Sequence, residues 1–163
     1  MFRLSPELKA KGEKAETDFR AWLNRSGVAF LYVEQSPVTV PDTFRGRIKR
    51  PDYLVGIPHA GSLAFDVKAK SLYEGNFLFE LDEVQKLSRF ARLFNLTVYF
   101  ACMDAENDDR HWWVPLADLF HREPKRRGRR LVLIYPQAEA HPVSHNRSFL
   151  DAIFDMNVAA LER

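Results

Sequence analysis

The sequence predicts an α/β fold in which helices flank a mixed β-sheet. Two segments carry apolar residues at helical spacing, several short apolar runs are typical of strands, and two of those runs are joined by the turn-rich link PHAG. The chain has 163 residues and is 46% hydrophobic, which suffices for one domain with a core. We expect a single domain over 1–163, with a core from about 5 to 115 and a C-terminal extension from about 116 to 163.

The N-terminal half predicts a helix, a strand and a hairpin in that order. The helix begins after Ser5, where serine precedes proline, and ends at Gly27, because these are typical start and stop residues. VAFLYVE (28–34) is a predicted strand, and the segment 35–50, with two prolines, is a predicted loop. DYLVGI and SLAFDVKA are predicted to pair as a hairpin.

The C-terminal half begins with a second amphipathic helix, over 80–95, which has acids in its first turn. Its apolar stripe consists of Leu81, Val84, Leu87, Ala91 and Phe94. The remaining predicted elements are a strand at 96–103, a half-buried strand RHWWVP, a short helix LADLF, a basic loop REPKRRGRR, a strand LVLIYP and a closing helix over 146–163. We interpret His141 and His145 as loop histidines.

Composition narrows the classes of function. The net charge is only +2, so any affinity for nucleic acid must come from local clusters of basic residues. The single cysteine, Cys102, excludes an internal disulfide and favours a reducing cytoplasm. The N-terminus has no apolar h-region and no stretch approaches 18 apolar residues, so we expect neither a signal peptide nor a membrane span.

Two acids and a lysine stand in the apolar hairpin. Side chains alternate along a strand, so Asp66 and Lys68 project to one side, and pairing of the two strands brings Asp52 towards Asp66. Adjacent carboxylates repel, and a hard divalent cation relieves that repulsion. These residues are therefore the parts needed for metal-assisted phosphodiester hydrolysis. The alternative is an ordinary Asp–Lys pair on the surface of an edge strand.

The first helix offers a further acid. At 100° per residue, Glu16 lies roughly 70° from the centre of the apolar stripe, whereas Glu13 lies roughly 130° away. Only Glu16 can therefore face a cleft at the edge of the core. Pairing of Glu16 with Arg20 on the helix surface is the alternative interpretation.

The segments KGEKAETDFRAWLNRSG, RPDYLVG, LAFDVKAKS and the glutamine of DEVQKLSRFARLF resemble, in that order, the PD-(D/E)XK nuclease superfamily. They are most similar to archaeal-type Holliday-junction resolvases and related small endonucleases. The resemblance implies a three-layer restriction-endonuclease-like core and a Mg²⁺ or Mn²⁺ cofactor. It implies metal ligation by Asp52, Asp66, the carbonyl of Val67 and Glu16, with Lys68 acting on water and the transition state. Gln85 matches a glutamine of several nuclease branches, although a plain surface role is equally compatible.

Three departures from the resolvases concern specificity. Asp66 stands where resolvases usually have glutamate, the segment 35–51 is longer, and a large part follows residue 104. The sequence thus predicts a metal-dependent DNA endonuclease, with cleavage of branched or junction DNA as its structure-selective form. The alternatives are a phage, mobile-element or restriction-type nuclease without junction preference, and a catalytically inactive DNA-binding module. By analogy with resolvases we expect a homodimer.

Two basic runs are candidates for contact with DNA phosphates, RGRIKR before Asp52 and KRRGRR at 125–130. Solvated loops are the alternative interpretation of both. Trp112 or Trp113 could in addition stack a base. The predicted DNA-binding residues are Arg45, Arg47, Lys49, Arg50, Lys70, Lys125, Arg126, Arg127, Arg129 and Arg130.

Overall fold

The computed structural model describes residues 4–104 and 106–163. Its helices are α1 (Pro6–Ser26), α2 (Leu81–Phe94) and α3 (Phe149–Leu161). Its strands are β1 (Ala29–Tyr32), β2 (Tyr53–Ile57), β3 (Gly61–Ala69), β4 (Asn76–Glu80), β5 (Thr97–Met103), β6 (Arg110–Pro115), β7 (Lys125–Arg127), β8 (Arg130–Pro136) and β9 (His141–Ser144). In this part of the chain no helix combines the length and the apolar character needed to cross a membrane.

A six-stranded mixed sheet in the order β1-β2-β3-β5-β6-β9 forms the centre of the molecule. The pair β3–β5 is parallel and the other neighbours are antiparallel. The predicted hairpin is confirmed, because β2 and β3 pair with Tyr53 opposite Phe65 and Ile57 opposite Gly61. Strand β3 therefore lies inside the sheet, paired with β2 over residues 61–65 and with β5 over residues 63–69.

Two cores lie on opposite faces of this sheet. On one face α1 and α3 bury Phe19 and Phe149 against Phe65, and Trp22 packs against Phe149. On the other face α2 and a second sheet, β4-β8-β7, cover the even-numbered side chains of β3 and β5. The predicted α/β fold with a helix-flanked mixed sheet is confirmed, and the layers alternate as helices, central sheet, and helix with second sheet.

The predicted basic loop REPKRRGRR is wrong, because part of it forms the β7–β8 hairpin. Arg127 pairs with Arg130, which leaves a two-residue turn of Gly128 and Arg129. Gly128 has φ 61, a value that glycine adopts at no steric cost, and a glycine at the first position is typical of a tight hairpin turn. The dense positive charge of this segment is typical of a solvated loop, which is why the sequence did not indicate a hairpin.

Other local predictions also differ from the structure. Strands β4 and β9 lie in segments for which the sequence predicts no element. The short helix predicted for LADLF is a 3₁₀ helix, Leu116–Leu119. The strand HWW is fully buried and not half-buried, since it lies inside the sheet between β5 and β9. With Trp112 6% exposed and Trp113 fully buried, neither ring is available to stack a base.

His145 lies in the turn after β9, as predicted, whereas the loop prediction for His141 is wrong because His141 begins β9. His145 contacts buried His111, with 2.7 Å between His145 Nε2 and His111 Nδ1. The indole of Trp113 donates to His111 Nε2 at 2.9 Å, and indole is only a donor. A neutral His111 therefore carries its proton on Nδ1 and donates it to His145. Trp22 of α1 packs edge-on against His111.

Candidate active site

The two predicted acids meet where β2 begins. Asp66 is fully buried on β3, and Asp52 directly precedes β2. Asp52 Oδ2 accepts a hydrogen bond from the Val67 backbone N–H at 2.7 Å. The N–H and C=O of one strand residue point to the same side, so the Val67 carbonyl also faces Asp52. The structure thus brings together Asp52, Asp66 and the Val67 carbonyl.

Asp66 has two oxygens in different environments. Its Oδ2 accepts from Lys49 Nζ at 2.8 Å and forms an ion pair with Lys68 Nζ at 3.0 Å. Its Oδ1 is buried and has no hydrogen-bond partner among the residues that the structure describes. Buried polar atoms without partners are rare in folded proteins and indicate strain, function or a site for an ion or water.

Glu83 completes a closed arrangement of alternating charges. Its Oε1 lies 2.6 Å from Lys68 Nζ and 3.2 Å from Lys49 Nζ. Asp66, Lys68, Glu83 and Lys49 therefore form an ion-pair ring, in which each acid contacts both lysines. Lys68 reaches the ring from β3 and Glu83 from the first turn of α2, where the helix dipole favours an acid.

The ion-pair ring shifts the pKa values of Lys68 and Glu83. Burial disfavours the ammonium of Lys68, but Asp66 and Glu83 outweigh burial and raise its pKa above the usual value. Burial alone would likewise raise the pKa of Glu83, yet Lys68 and Lys49 lower it to about 2. Both groups are therefore charged at neutral pH.

The pKa of Asp52 is raised, whereas that of Glu83 is lowered. Burial, and then the negative charge of Asp66, raise the pKa of Asp52 to about 7, despite the hydrogen bond from Val67. Burial and Asp66 also raise the pKa of Glu16. Three carboxylates thus share a region in which added negative charge is unfavourable, and a cation there lowers the energy of all three.

Glu16 and Glu13 differ as the helical wheel predicts. Glu16 is half-buried, and the charges of Asp66, Lys68 and Lys49 influence it. The side chain of Glu13 is 69% exposed and pairs loosely with Lys9. The geometry therefore distinguishes two glutamates that composition cannot separate.

Gln85 lies away from the acids. It is two residues beyond Glu83, which corresponds to about 200° around a helix. It lines a cleft of about 430 Å³ between α2 and the segment that contains Phe120 and Leu133. The structure consequently does not bring Gln85 to Asp52 or Asp66.

The basic run before Asp52 is divided between two roles. Arg45 and Arg47 are exposed, and Arg45 pairs with Asp42 at 2.8 Å. Arg50 donates to the Ser36 carbonyl at 2.8 Å, and only 14% of its side chain is exposed. Lys49, predicted as a DNA-binding residue, points inward to the ion-pair ring.

Lys70 also points inward. Its Nζ donates to the Leu78 carbonyl and lies 4.6 Å from the centre of the Phe79 ring. Burial lowers its pKa. This lysine ties β3 to β4, which limits its reach towards DNA.

The β7–β8 hairpin carries the second basic run on the surface. Its exposed basic residues are Lys125, Arg126, Arg127, Arg129 and Arg130. The guanidinium of Arg127 lies 3.9 Å from the centre of the Tyr73 ring, and Arg130 pairs with Glu80. Glu80 directly precedes α2 and is three residues from Glu83, so the base of the hairpin is tied to the helix that carries part of the site.

The residues present suit a hard divalent cation. Magnesium commonly binds one or two protein carboxylates and takes its other oxygens from water and substrate phosphate. Asp66, Asp52 and the Val67 carbonyl supply such oxygens, and Asp66 Oδ1 is a buried acceptor to which none of the described residues donates. Within residues 4–104 and 106–163, no three His, Cys, Asp or Glu side chains are grouped closely enough to hold a metal ion. Glu16 therefore stands outside the immediate pair.

Sequence reasoning missed Glu83 and the inward position of Lys49. The sequence shows Glu83 only as one of two acids in the first turn of α2. Its distance of 15 residues from Lys68 gives no sign of contact. The alternation of side chains along β3 could have indicated this contact, because the even-numbered side chains of β3 face α2.

The solved structures that are similar to this chain include two nucleases. Neither a protein-family model nor a curated protein matches the sequence. A Holliday junction resolvase from the archaeal hyperthermophile Archaeoglobus fulgidus is 24% identical, with a TM-score of 0.49, 76% of this chain covered and 83% of that one. A nuclease from a fusselovirus is 9% identical, with a TM-score of 0.46 and coverages of 86% and 88%. Since both TM-scores are below 0.5, the interpretation of the site rests on its own residues.

Proposed function

We propose that this chain is a metal-dependent endonuclease that hydrolyses phosphodiester bonds in DNA. The observation that carries the proposal is buried Asp66 at one end of β3. It forms an ion pair with Lys68, Asp52 bonds the next residue of the strand, and one Asp66 oxygen has no partner among the described residues. An Asp–Lys surface pair on an edge strand, the alternative from sequence, does not describe a fully buried aspartate on an internal strand.

The residues of the chain have distinct roles in this proposal. Asp52, Asp66 and the Val67 carbonyl would hold Mg²⁺ or Mn²⁺, with Glu16 acting from the neighbouring helix. The bound cation supplies Lewis-acid polarisation of a phosphoryl oxygen and a more acidic water. Lys68 keeps its positive charge near the carboxylates and stabilises the charge that develops on the phosphate. Glu83 holds the Lys68 ammonium in place.

The basic residues extend the proposal from phosphodiester chemistry to DNA. The exposed Arg45 and Arg47 lie on the segment that leads to Asp52, and the hairpin arginines are tied to α2 through Glu80. Such residues contact phosphates and add affinity that depends on salt but not on sequence. The resemblance to resolvases adds preference for branched DNA and a homodimer to the proposal.

Cleavage assays with two substrates test this function. Purified protein is incubated with supercoiled plasmid and with a four-way junction, in Mg²⁺ or in EDTA. We expect cleavage in Mg²⁺ that EDTA abolishes. Cleavage of the junction alone supports a resolvase, cleavage of both supports a nuclease without junction preference, and binding without cleavage supports the DNA-binding module. Sedimentation equilibrium of the same protein tests the homodimer.

A further inference from the structure

Lys49 belongs to two groups of residues at once. By position it is part of the basic run 45–50, whose exposed members Arg45 and Arg47 are suited to phosphate contact. By contact it is part of the ion-pair ring, since its Nζ lies 2.8 Å from Asp66 Oδ2 and 3.2 Å from Glu83 Oε1. No other residue of that run contacts Asp66 in the described structure.

The two lysines of the ring are held differently. Lys68 lies on β3, where the strand pairs with β5 opposite Cys102, and contacts Glu83 at 2.6 Å. Lys49 lies on an irregular segment, and its contact with Glu83 is longer. That segment is attached to α2 by the Lys49 N–H to the Lys86 carbonyl at 3.2 Å and by Arg89 to the Arg47 carbonyl at 2.9 Å. Both bonds hold backbone groups of the segment, so the Lys49 side chain can turn out of the ring without disrupting a strand.

The ammonium of Lys49 and a divalent cation compete for the same negative charge. Asp66 is fully buried, where charge interactions are weakly screened and a positive charge next to a carboxylate reduces its attraction for a second cation. If the Lys49 ammonium moves out of the ion-pair ring, Lys68 still pairs with Glu83. The Asp66 carboxylate then attracts a metal cation more strongly. DNA phosphate is a partner that can accept the departing ammonium, because Lys binds phosphate as a point charge.

We propose that Lys49 is a displaceable cation that occupies Asp66 until DNA phosphate draws it away, so that DNA binding raises the affinity of the site for divalent metal. This inference rests on the proposed function. Coupling between two ligands is reciprocal, so metal must strengthen DNA binding by the same factor. A phosphate that ligates the metal directly also couples the two, but that contribution does not depend on Lys49.

Calorimetric titration with Ca²⁺, which takes the same hard oxygen ligands, tests the inference without any measurement of activity. The variant Lys49→Met keeps the aliphatic stem and removes the charge. The control Lys86→Met removes a positive charge from α2 that pairs with Asp82 at 2.8 Å and does not contact Asp66. Lys49→Gln, which keeps a hydrogen-bond donor, is the second variant, and thermal melts establish that each protein is folded.

In the absence of DNA, we expect Lys49→Met and Lys49→Gln to bind Ca²⁺ at least about tenfold more tightly than wild type, equal to ~1.4 kcal/mol. Lys86→Met should bind as wild type does. With a short duplex, shown by gel to stay intact, wild-type Ca²⁺ affinity should rise by a larger factor than that of Lys49→Met.

The direction of the change in Ca²⁺ affinity shows whether Lys49 competes with the metal or positions Asp66 for it. Equal or weaker Ca²⁺ binding by both Lys49 variants would overturn the inference, because Lys49 would then be inert or would position Asp66. If wild type nonetheless cleaves DNA in Mg²⁺, only this inference fails. If wild type binds no Ca²⁺ and cleaves no DNA in Mg²⁺, the proposed function fails and this inference with it.

Discussion

Glu83 is the site residue that the sequence did not reveal, and its removal gives a sharp prediction. Glu83→Gln keeps the size of the side chain but removes the charge that contacts Lys68 at 2.6 Å and Lys49 at 3.2 Å. A hydrogen bond to a charged group contributes about 1.5–3 kcal/mol, and Lys68 is 23% exposed, so screening is limited. If that stabilisation is expressed in the transition state, kcat falls by about tenfold to about 150-fold.

The assay is initial-rate cleavage of plasmid in Mg²⁺ over a range of pH, with DNA affinity measured separately. We expect kcat to fall while the Kd for DNA changes little, since Glu83 positions Lys68 and does not face the basic surface. Loss of the carboxylate also lowers the pKa of Lys68. The fall in activity at alkaline pH should therefore begin at a lower pH than in wild type. The control is Asp82→Asn, which removes the neighbouring acid, 72% exposed and paired with Lys86. If the two variants share one kcat and one pH profile, Glu83 does not position Lys68.

Three further predictions concern other parts of the molecule. Glu16→Gln should reduce plasmid cleavage or raise the Mg²⁺ it requires, whereas Glu13→Gln, an exposed change on the same helix, should match wild type; equal behaviour in both would remove α1 from the site. Replacing the arginines of the 125–130 hairpin by glutamine should reduce the slope of log affinity against log salt by about one unit per lost phosphate contact, and an unchanged slope would mean that the hairpin is only solvated. Burial, with neighbouring histidines, lowers the pKa of His111. At acidic pH the unfolded chain therefore takes up a proton that the folded chain does not. The free energy of unfolding should decrease as pH falls below about 6.5, by up to about 1.4 kcal/mol per pH unit. Denaturant titrations should show that His111→Phe weakens this dependence and that substitution of exposed His121 does not; an equal slope in both would contradict it.

Local patterns were sufficient to predict the elements that position the acids. The β2–β3 hairpin follows from two apolar runs and a short turn, and α1 from its serine start and glycine end, with Gly27 in the left-handed conformation at φ 68. Strand β4 was missed because Asn76–Glu80 directly precedes α2, so the strand and the helix form one uninterrupted segment. Its identity as a strand depends on pairing with β8, some 55 residues later, which no local pattern records.

The same distinction applies to the site. Asp66 and Lys68 lie on β3 and Asp52 directly precedes its partner β2, so alternation and pairing indicate their proximity. Glu83 and Lys49 reach Asp66 from a helix and from an irregular segment, and their contact depends on how α2 packs on the sheet. A basic run beside a predicted nuclease site favours a DNA contact, yet only the packed structure shows that one lysine of that run turns inward.

The most direct test of the central claim is plasmid cleavage by Asp66→Asn, compared with wild type and Asp82→Asn at equal concentration in Mg²⁺. Asp66→Asn keeps the shape of the buried side chain and removes the charge that the site needs for a cation, and thermal melts establish that it is folded. We predict that wild type and Asp82→Asn nick and linearise the plasmid, that EDTA stops them, and that Asp66→Asn leaves the plasmid supercoiled while still binding it. Cleavage by folded Asp66→Asn at the wild-type rate would contradict the assignment of this site to phosphodiester hydrolysis.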